Sequence, residues 1–259
     1  LIKTKKSLGQ NFLIDKKVLE KIVKVSPIKG KNILEVGPGS GNLTSFILKE
    51  NPKKIIVIEK DNDLVVKLGN LFENKLKIIN RDILDIDETS LFKDKVTVFG
   101  NLPYNISTEI LSKWIVNIKD TFWFNDLVLM FQKEVADRIK SDYNLSSYGR
   151  LSILTGFRLI IKDHFNISRN SFFPVPKVDS TLVVMEPFNN EDNKNYLNLK
   201  KLEKLTRIFF NNKRKMVNKA SKNIIIDSKF TLKKLNIGSN LRPSEISKEK
   251  YYKLIKYVS

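Results

Sequence analysis

The chain has 259 residues, 41% of them apolar, no cysteine, one histidine and a formal charge of +19. That length suits one large domain, alone or with a small one. The missing Cys excludes disulfides and thiolate metal sites, and a lone His164 excludes a multi-His metal centre, so no metal is expected. His164 sits in "IIKDHFNIS" beside apolar residues and reads as a structural or surface side chain.

The longest apolar runs, "IIVI" from Ile55 and "LVLMF" from Leu127, fall far short of the ~20 residues a membrane helix needs. "LIKTKKSLGQNFLID" at the start lacks the apolar stretch of a signal peptide. No membrane partner is expected. The expected location is cytoplasmic, or an organelle if a targeting segment preceded Leu1.

The elements alternate. "KNILEV" (31–36) reads as a buried strand ending in a Gly-rich turn, followed by a helix, "NLTSFILKE", closed at Asn51-Pro52. "KKIIVIEK" is a second strand, "DLVVKLGNLF" a helix, "LKIINRD" a third strand and "KVTVFG" a fourth. "STEILSKWIVNI" is an amphipathic helix and "DLVLMF" a fifth strand. Short apolar strands separated by helices predict a parallel sheet covered on both faces. "ILTGFRLIIKDHFNIS" and "STLVVMEPF" then read as two strands joined by a long loop with Pro174 and Pro176, a candidate antiparallel edge.

"NNEDNKNYLN" is polar and reads as a linker. Beyond it, Leu199, Leu202, Leu205, Ile208 and Phe209 recur at helical spacing, and "SKEKYYKLIKYV" is also helical. The expected domains are therefore 1–190 and a small all-helical one, 199–259. From Leu199 to Ser259, 17 Lys/Arg stand against 4 Asp/Glu, a net +13 out of the +19. So uneven an excess points to a polyanionic partner rather than a merely solvated surface.

Gly37, Gly39 and Gly41 follow the first long strand in "EVGPGSGNLT", where glycine lets the backbone turn tightly and approach a ligand closely. A dinucleotide fingerprint would carry its third Gly where Asn42 stands, which disfavours an oxidoreductase, and no P-loop exists. Glu59 ends the second strand and can accept both hydroxyls of a ribose; Asp82 ends the third and can accept from an adenine amino group. Strand-end carboxylates are commonly just solvated, but three successive strands ending in a Gly turn, Glu and Asp are not. This set resembles the class I S-adenosylmethionine-dependent methyltransferases, a Rossmann-like α/β fold.

The fourth strand ends in Asn101-Leu102-Pro103-Tyr104, similar to the motif of methyltransferases that modify exocyclic amino groups of bases. The adenine amino nitrogen is conjugated with its ring and is a poor nucleophile. Two acceptors aimed at its hydrogens, the Asn101 side-chain oxygen and the Leu102 carbonyl, would favour a pyramidal nitrogen with its lone pair free. Pro103 restricts Leu102 and so fixes where that carbonyl points. Tyr104 offers a face on which a flipped base can stack, for which the ring and not the hydroxyl is needed. Methyl transfer then asks for orientation and electrostatics more than for a strong base. The bland alternative is a strand-to-loop turn.

"SLGQNFLID", "FFPVPKVDSTLV", "FFNNKRKMVNK" and "LRPSEIS" extend the likeness end to end: the chain resembles the KsgA-type rRNA adenine dimethyltransferases. That resemblance implies S-adenosylmethionine as cofactor, with S-adenosylhomocysteine as product, and Asn11, Leu13, Gly37, Gly39, Glu59, Asp82 and Asn101 around it. It implies Phe173 as a second aromatic wall for the target base, whose alternative is a core Phe before a Pro turn. Lys213, Arg214, Lys215, Lys219 and Lys222 become the candidate RNA contacts, with Asn212 and Lys213 where the family often shows Arg. The implied activity is N6 dimethylation of two adjacent adenosines near the 3′ end of small-subunit rRNA, on the immature small ribosomal subunit, by a monomer. Two rivals stand beside it: the resistance methyltransferases of large-subunit rRNA, which usually show Ile where Leu102 stands, and a non-catalytic RNA-binding factor on the same fold.

Overall fold

The computed structural model describes residues 9–118, 121–188 and 196–259. Residues 189–195 of the expected linker, and Ser7 and Leu8 of "SLGQNFLID", lie outside the described residues. The chain falls into two compact units.

The first unit takes the chain up to Lys113, Phe122–Ala136 and Ile161–Pro187. Its strands are β1 (Phe12–Leu13), β2 (Asn32–Val36), β3 (Lys54–Glu59), β4 (Lys77–Asn80), β5 (Val96–Asn101), β6 (Phe124–Gln132), β7 (Leu159–Ile167), β8 (Phe172–Phe173) and β9 (Ser180–Pro187). Seven form one sheet in the order β4-β3-β2-β5-β6-β9-β7. From β4 to β6 the pairings are parallel, and β9 runs antiparallel to β6, as the sequence leads one to expect. β1 and β8 pair separately, with Phe12 opposite Phe173.

β3 shows why parallel strands read as solid apolar runs. Every residue of "KIIVIE" after Lys54 is buried, because both faces of the sheet are covered. Helices α1 (Lys16–Ile22), α2 (Asn42–Lys49), α3 (Asn62–Phe72), α4 (Ser107–Val116) and α5 (Lys133–Lys140) occur between the strands. Asp15 caps α1 by accepting from the Lys17 and Val18 N–H groups at 3.0 and 3.3 Å, and Asp61 caps α3 through Asp63 N–H at 3.0 Å. Chain order reverses between β2 and β5, the switch point where an open α/β sheet leaves a crevice beyond its strand ends.

The second unit is larger than the expected 199–259. It adds Trp114–Thr121 and Asp137–Ile160 to the segment from Phe188 onward. Its helices are α6 (Arg150–Arg158), α7 (Tyr196–Asn211), α8 (Val217–Ser221), α9 (Ser228–Lys234) and α10 (Lys248–Leu254). An aromatic core explains the recruitment. Phe157 lies 5.1 Å from Tyr252, and Tyr148 lies 6.4 Å from Phe210 while its hydroxyl donates to the Ile246 carbonyl at 3.0 Å. The tail alone would lack the Tyr148 and Phe157 sides of these contacts.

α6 also corrects the sequence reading, which runs a strand from Ile153. The helix extends to Arg158 and the strand begins at Leu159. Ser152 Oγ accepts the Gly149 N–H at 3.2 Å and steadies the first turn, and dense apolar character at 153–161 hides the change of period. No described helix is long and apolar enough to cross a membrane.

One residue of β2 sits against the grain of its strand. Glu35, between Leu34 and Val36, is 1% exposed, and its Oε2 has no hydrogen-bond partner among the described residues. Burial, with the nearby Glu59 carboxylate adding, pushes its carboxyl up to about 8. An acid raised in the folded state stabilises fully below its unfolded value and loses that contribution as pH rises toward the folded one. Glu35→Gln keeps the shape and cannot ionise. It should melt higher than wild type by a margin that grows from about pH 4.5 to about 8 and then levels, at roughly 2–4 °C per kcal/mol for a chain of this size. Thermal melts without ligand check this; a margin independent of pH would mean that Glu35 is ionised when folded.

Candidate active site

The crevice beyond β2, β3 and β5 is a cleft of about 1000 Å³, counted out to its mouth. Asn11, Gly37, Gly39, Glu59, Asp82, Asn101, Leu102, Pro103 and Tyr104 all line it. Residues spread over more than ninety positions thus converge on one site within the first unit.

The glycine turn is shaped to let something pass close by. Gly37 has φ +68° and Gly39 φ +57°, conformations that a side chain disfavours. A Cβ on Gly39 would stand 2.8 Å from the Phe12 ring, and one on Gly37 3.3 Å from the Asn101 carbonyl. The cradle is therefore backbone only.

Glu59 ends β3 almost buried, at 8% exposure. Its Oε2 accepts the Gly39 N–H at 3.2 Å and its Oε1 the Asp61 N–H at 2.9 Å. Each oxygen keeps a lone pair for a further donor, which suits a diol. Burial raises the carboxyl above its ordinary value, and the backbone N–H groups pull the other way. Asp82 is more committed than its sequence position suggests. Its Oδ1 accepts the Leu84 N–H at 3.0 Å and its Oδ2 pairs with Lys60 Nζ at 2.7 Å. Burial works to raise Asp82, but the lysine and the N–H outweigh it and the net shift is downward. Asp82 stays ionised.

A short segment straps the mouth. Gln10 Nε2 donates to Asp61 at 2.8 Å, Asn42 Nδ2 to the Leu13 carbonyl at 2.7 Å, and Asn101 Nδ2 to the Asn11 carbonyl at 2.8 Å. The last bond decides the orientation of Asn101. A carbonyl can only accept, so the amide nitrogen must face Asn11 and the amide oxygen is turned away from it. Tyr104 is held too. Its hydroxyl shares a 2.6 Å hydrogen bond with Ser180 Oγ, and burial raises the phenol. The hydroxyl that stacking does not require thus fixes where the ring stands.

Residues 2–259 match the ribosomal RNA adenine dimethylase family. The chain belongs to that family. It is 53% identical to the ribosomal RNA small subunit methyltransferase A of Pelagibacter ubique, over 98% of this chain and 97% of the relative. It is 41% identical to the same-named protein of a Wolbachia from Drosophila simulans, over 97% and 92%. A dimethyladenosine transferase structure from Plasmodium falciparum superposes with TM-score 0.78 at 27% identity, covering 95% of this chain and 99% of that one. A 23S rRNA methyltransferase structure at 19% identity, TM-score 0.71, covering 95% and 98%, shares the fold. The chain is a methyltransferase that uses S-adenosylmethionine, and the bare glycine cradle and the Glu59 lone pairs fit that cofactor.

Two candidate residues stand off the cleft wall. Leu13, 4% exposed, belongs to the core and lines a small cavity behind the glycine turn, because β1 pairing turns its side chain inward. Phe173 is 52% exposed and reaches the site only as the pairing partner of Phe12. In the second unit, Lys213, Arg214 and Lys215 lie exposed in the turn after α7, Lys219 on α8 and Lys222 at its end. Sequence reading missed Gln10, Lys60 and Arg81 on the wall. Lys60 had a signal, since it directly follows the strand-end Glu59; Gln10 and Arg81 had none beyond adjacency to Asn11 and Asp82.

Replacing Glu59 by Ala should cost about 1.5–3 kcal/mol of S-adenosylmethionine binding, as for charge-assisted hydrogen bonds. Because Glu59 is raised, wild-type affinity should begin to fall, as pH drops, at a higher pH than an ordinary glutamate would give. Titration calorimetry across pH reads both, and unchanged affinity in Glu59→Ala would remove Glu59 from the cofactor site.

Proposed function

We propose that the chain dimethylates N6 of two adjacent adenosines near the 3′ end of small-subunit rRNA, on the immature subunit, as a step of ribosome biogenesis. The observation that carries this is the Asn101 amide, held by Asn11 with its oxygen released for a donor, on the wall of a cleft fit for S-adenosylmethionine. The relatives named as small subunit methyltransferases supply the target. A cleft complete within one chain supports a monomer, and a ribosomal substrate supports a cytoplasmic location.

Asn101 Oδ1 and the Leu102 carbonyl accept the hydrogens of the adenine amino group and turn its lone pair toward the methyl donor. Tyr104 stacks the extruded base, and Phe173 closes its other face. Glu59 holds the ribose diol, Asp82 the adenine amino group of the cofactor, and the Gly37–Gly39 backbone its amino-acid end beside Asn11. Leu13 acts from behind, anchoring the strap through Asn42. When bound, S-adenosylmethionine supplies an electrophilic sulfonium methyl and leaves as S-adenosylhomocysteine. The methylated nitrogen then yields its proton to solvent, so no strong base is needed.

Asn101→Ala should fold and bind RNA yet lose about 10²–10³ in single-turnover rate, the scale for one positioned polar group at a reacting centre. Methyl transfer from labelled cofactor to unmodified small and large subunits, with products mapped, tests the target. Label confined to large subunits would overturn the reading.

The exposed cations after α7 dock phosphates. Contacts of that kind release counterions, so affinity for the small subunit should fall steeply with salt. Changing Lys213, Arg214 and Lys215 together to Ala should flatten the slope of log affinity against log salt by roughly two to three units, leaving cofactor affinity unchanged. Equal slopes would make this turn an ordinary solvated surface.

A further inference from the structure

Residues 174–179 between β8 and β9 form a loop clamped at both ends to the site. At its start, Phe173 pairs with Phe12 on the cleft wall, Ile14 N–H donates to the Ser171 carbonyl at 2.9 Å and Ser171 Oγ to Asp15 at 3.0 Å. At its end, the Asp179 carboxylate accepts the Arg169 N–H at 2.9 Å, its carbonyl accepts Lys133 N–H at 2.9 Å, and Ser180 holds Tyr104. Pro176 is buried and pins the middle. Between these anchors Val175 is 55% and Val178 43% exposed. Single exposed apolar residues are ordinary, but two on a short, proline-stiffened, clamped loop at a binding mouth are a built apolar edge. Exposed Lys177 and Arg169 flank it, and the exposed Asp179 carboxylate accepts the Arg169 backbone N–H on one oxygen.

An occupant follows from that combination. A nucleic-acid strand offers apolar base faces on a charged backbone, and extruding one nucleotide leaves its neighbour with an uncovered face. Apolar side chains serve elsewhere as wedges against such steps. We propose that Val175 and Val178 form a wedge that packs against the base adjoining the target adenosine and holds it out of the stack. The proposal rests on the reading of the chain as an RNA methyltransferase, and it concerns a base that the Asn101–Tyr104 site does not touch.

The test replaces both valines by Ser, and separately both by Ile. With unmodified small subunits, V175S/V178S should raise KM roughly five- to tenfold, the loss of about one buried apolar side chain. Its kcat should stay within about twofold and its S-adenosylmethionine affinity should not change, since neither valine touches the cofactor cleft. The KM ratio should be the same at low and high salt, because an apolar contact releases no counterions. V175I/V178I should restore wild-type KM, and protein-free small-subunit rRNA should show the same loss of affinity for the Ser variant in filter binding. An unchanged KM, a salt-dependent ratio, or a weakened cofactor site would overturn the wedge. A loss seen on subunits but absent on free rRNA would also overturn it and assign the edge to a ribosomal protein. Wild-type enzyme that methylates no small-subunit RNA would instead overturn the function, so the two failures are distinguishable.

Discussion

The hydrogen bond from the Asn101 amide to the Asn11 carbonyl is the constraint on which the site turns. An unrestrained asparagine would offer either its nitrogen or its oxygen to whatever enters the cleft. Only the oxygen can accept the hydrogens of an amino group. By spending the nitrogen on a backbone carbonyl ninety residues away, the fold removes the wrong choice. The same bond ties the Gly9–Leu13 strap to Asn101, so the placement of the strap and the orientation of Asn101 are coupled. Gln10 on Asp61 and Asn42 on the Leu13 carbonyl hold the strap at two further points.

The carboxylates beneath the strap show how burial separates like groups. Glu35 and Glu59 end up near one another on neighbouring strands, and burial raises both. Glu35 lacks a partner for Oε2 and keeps its proton at neutral pH. Glu59 receives two backbone N–H groups that favour its charged form. One acid can therefore pack like an amide inside the sheet while the other serves as an acceptor at its end. Lys60 plays the corresponding part for Asp82, holding it ionised at the mouth.

What was legible in the sequence is what chemistry forces to be local. The glycine turn, Glu59, Asp82 and Asn101-Leu102-Pro103-Tyr104 all sit at strand ends, and a strand end is visible as the place where an apolar run stops. Strand order is not visible in that way, and β4-β3-β2-β5-β6-β9-β7 emerges only from the fold. Hidden were the contacts whose partners lie far along the chain: Asn11 with Asn101, Gln10 with Asp61, Tyr104 with Ser180. The end of α6 was hidden for a different reason. Apolar residues at 153, 154, 157 and 159–161 fit helix and strand periods alike, and only the aromatic core of the second unit decides where one stops. That same core moved the domain boundary, because Tyr148 and Phe157 precede the linker but pack with residues beyond it.

The distribution of charge completes the argument. Among the residues lining the cleft, Glu59 and Asp82 offset Lys60 and Arg81, so the reacting centre carries no net charge from them. A neutral aromatic and amide surface is what an uncharged base requires, and it gives little purchase on a phosphate backbone. The excess of cations lies instead from Leu199 onward, with five of them exposed around the turn after α7 and on α8. On the proposed reading, affinity and chemistry fall to different residues. Such a division lets RNA binding be strong and salt-sensitive while selection among bases depends on acceptor geometry and stacking alone. A phosphate clamp inside the cleft would hold any nucleotide there equally well, and the discrimination would be lost.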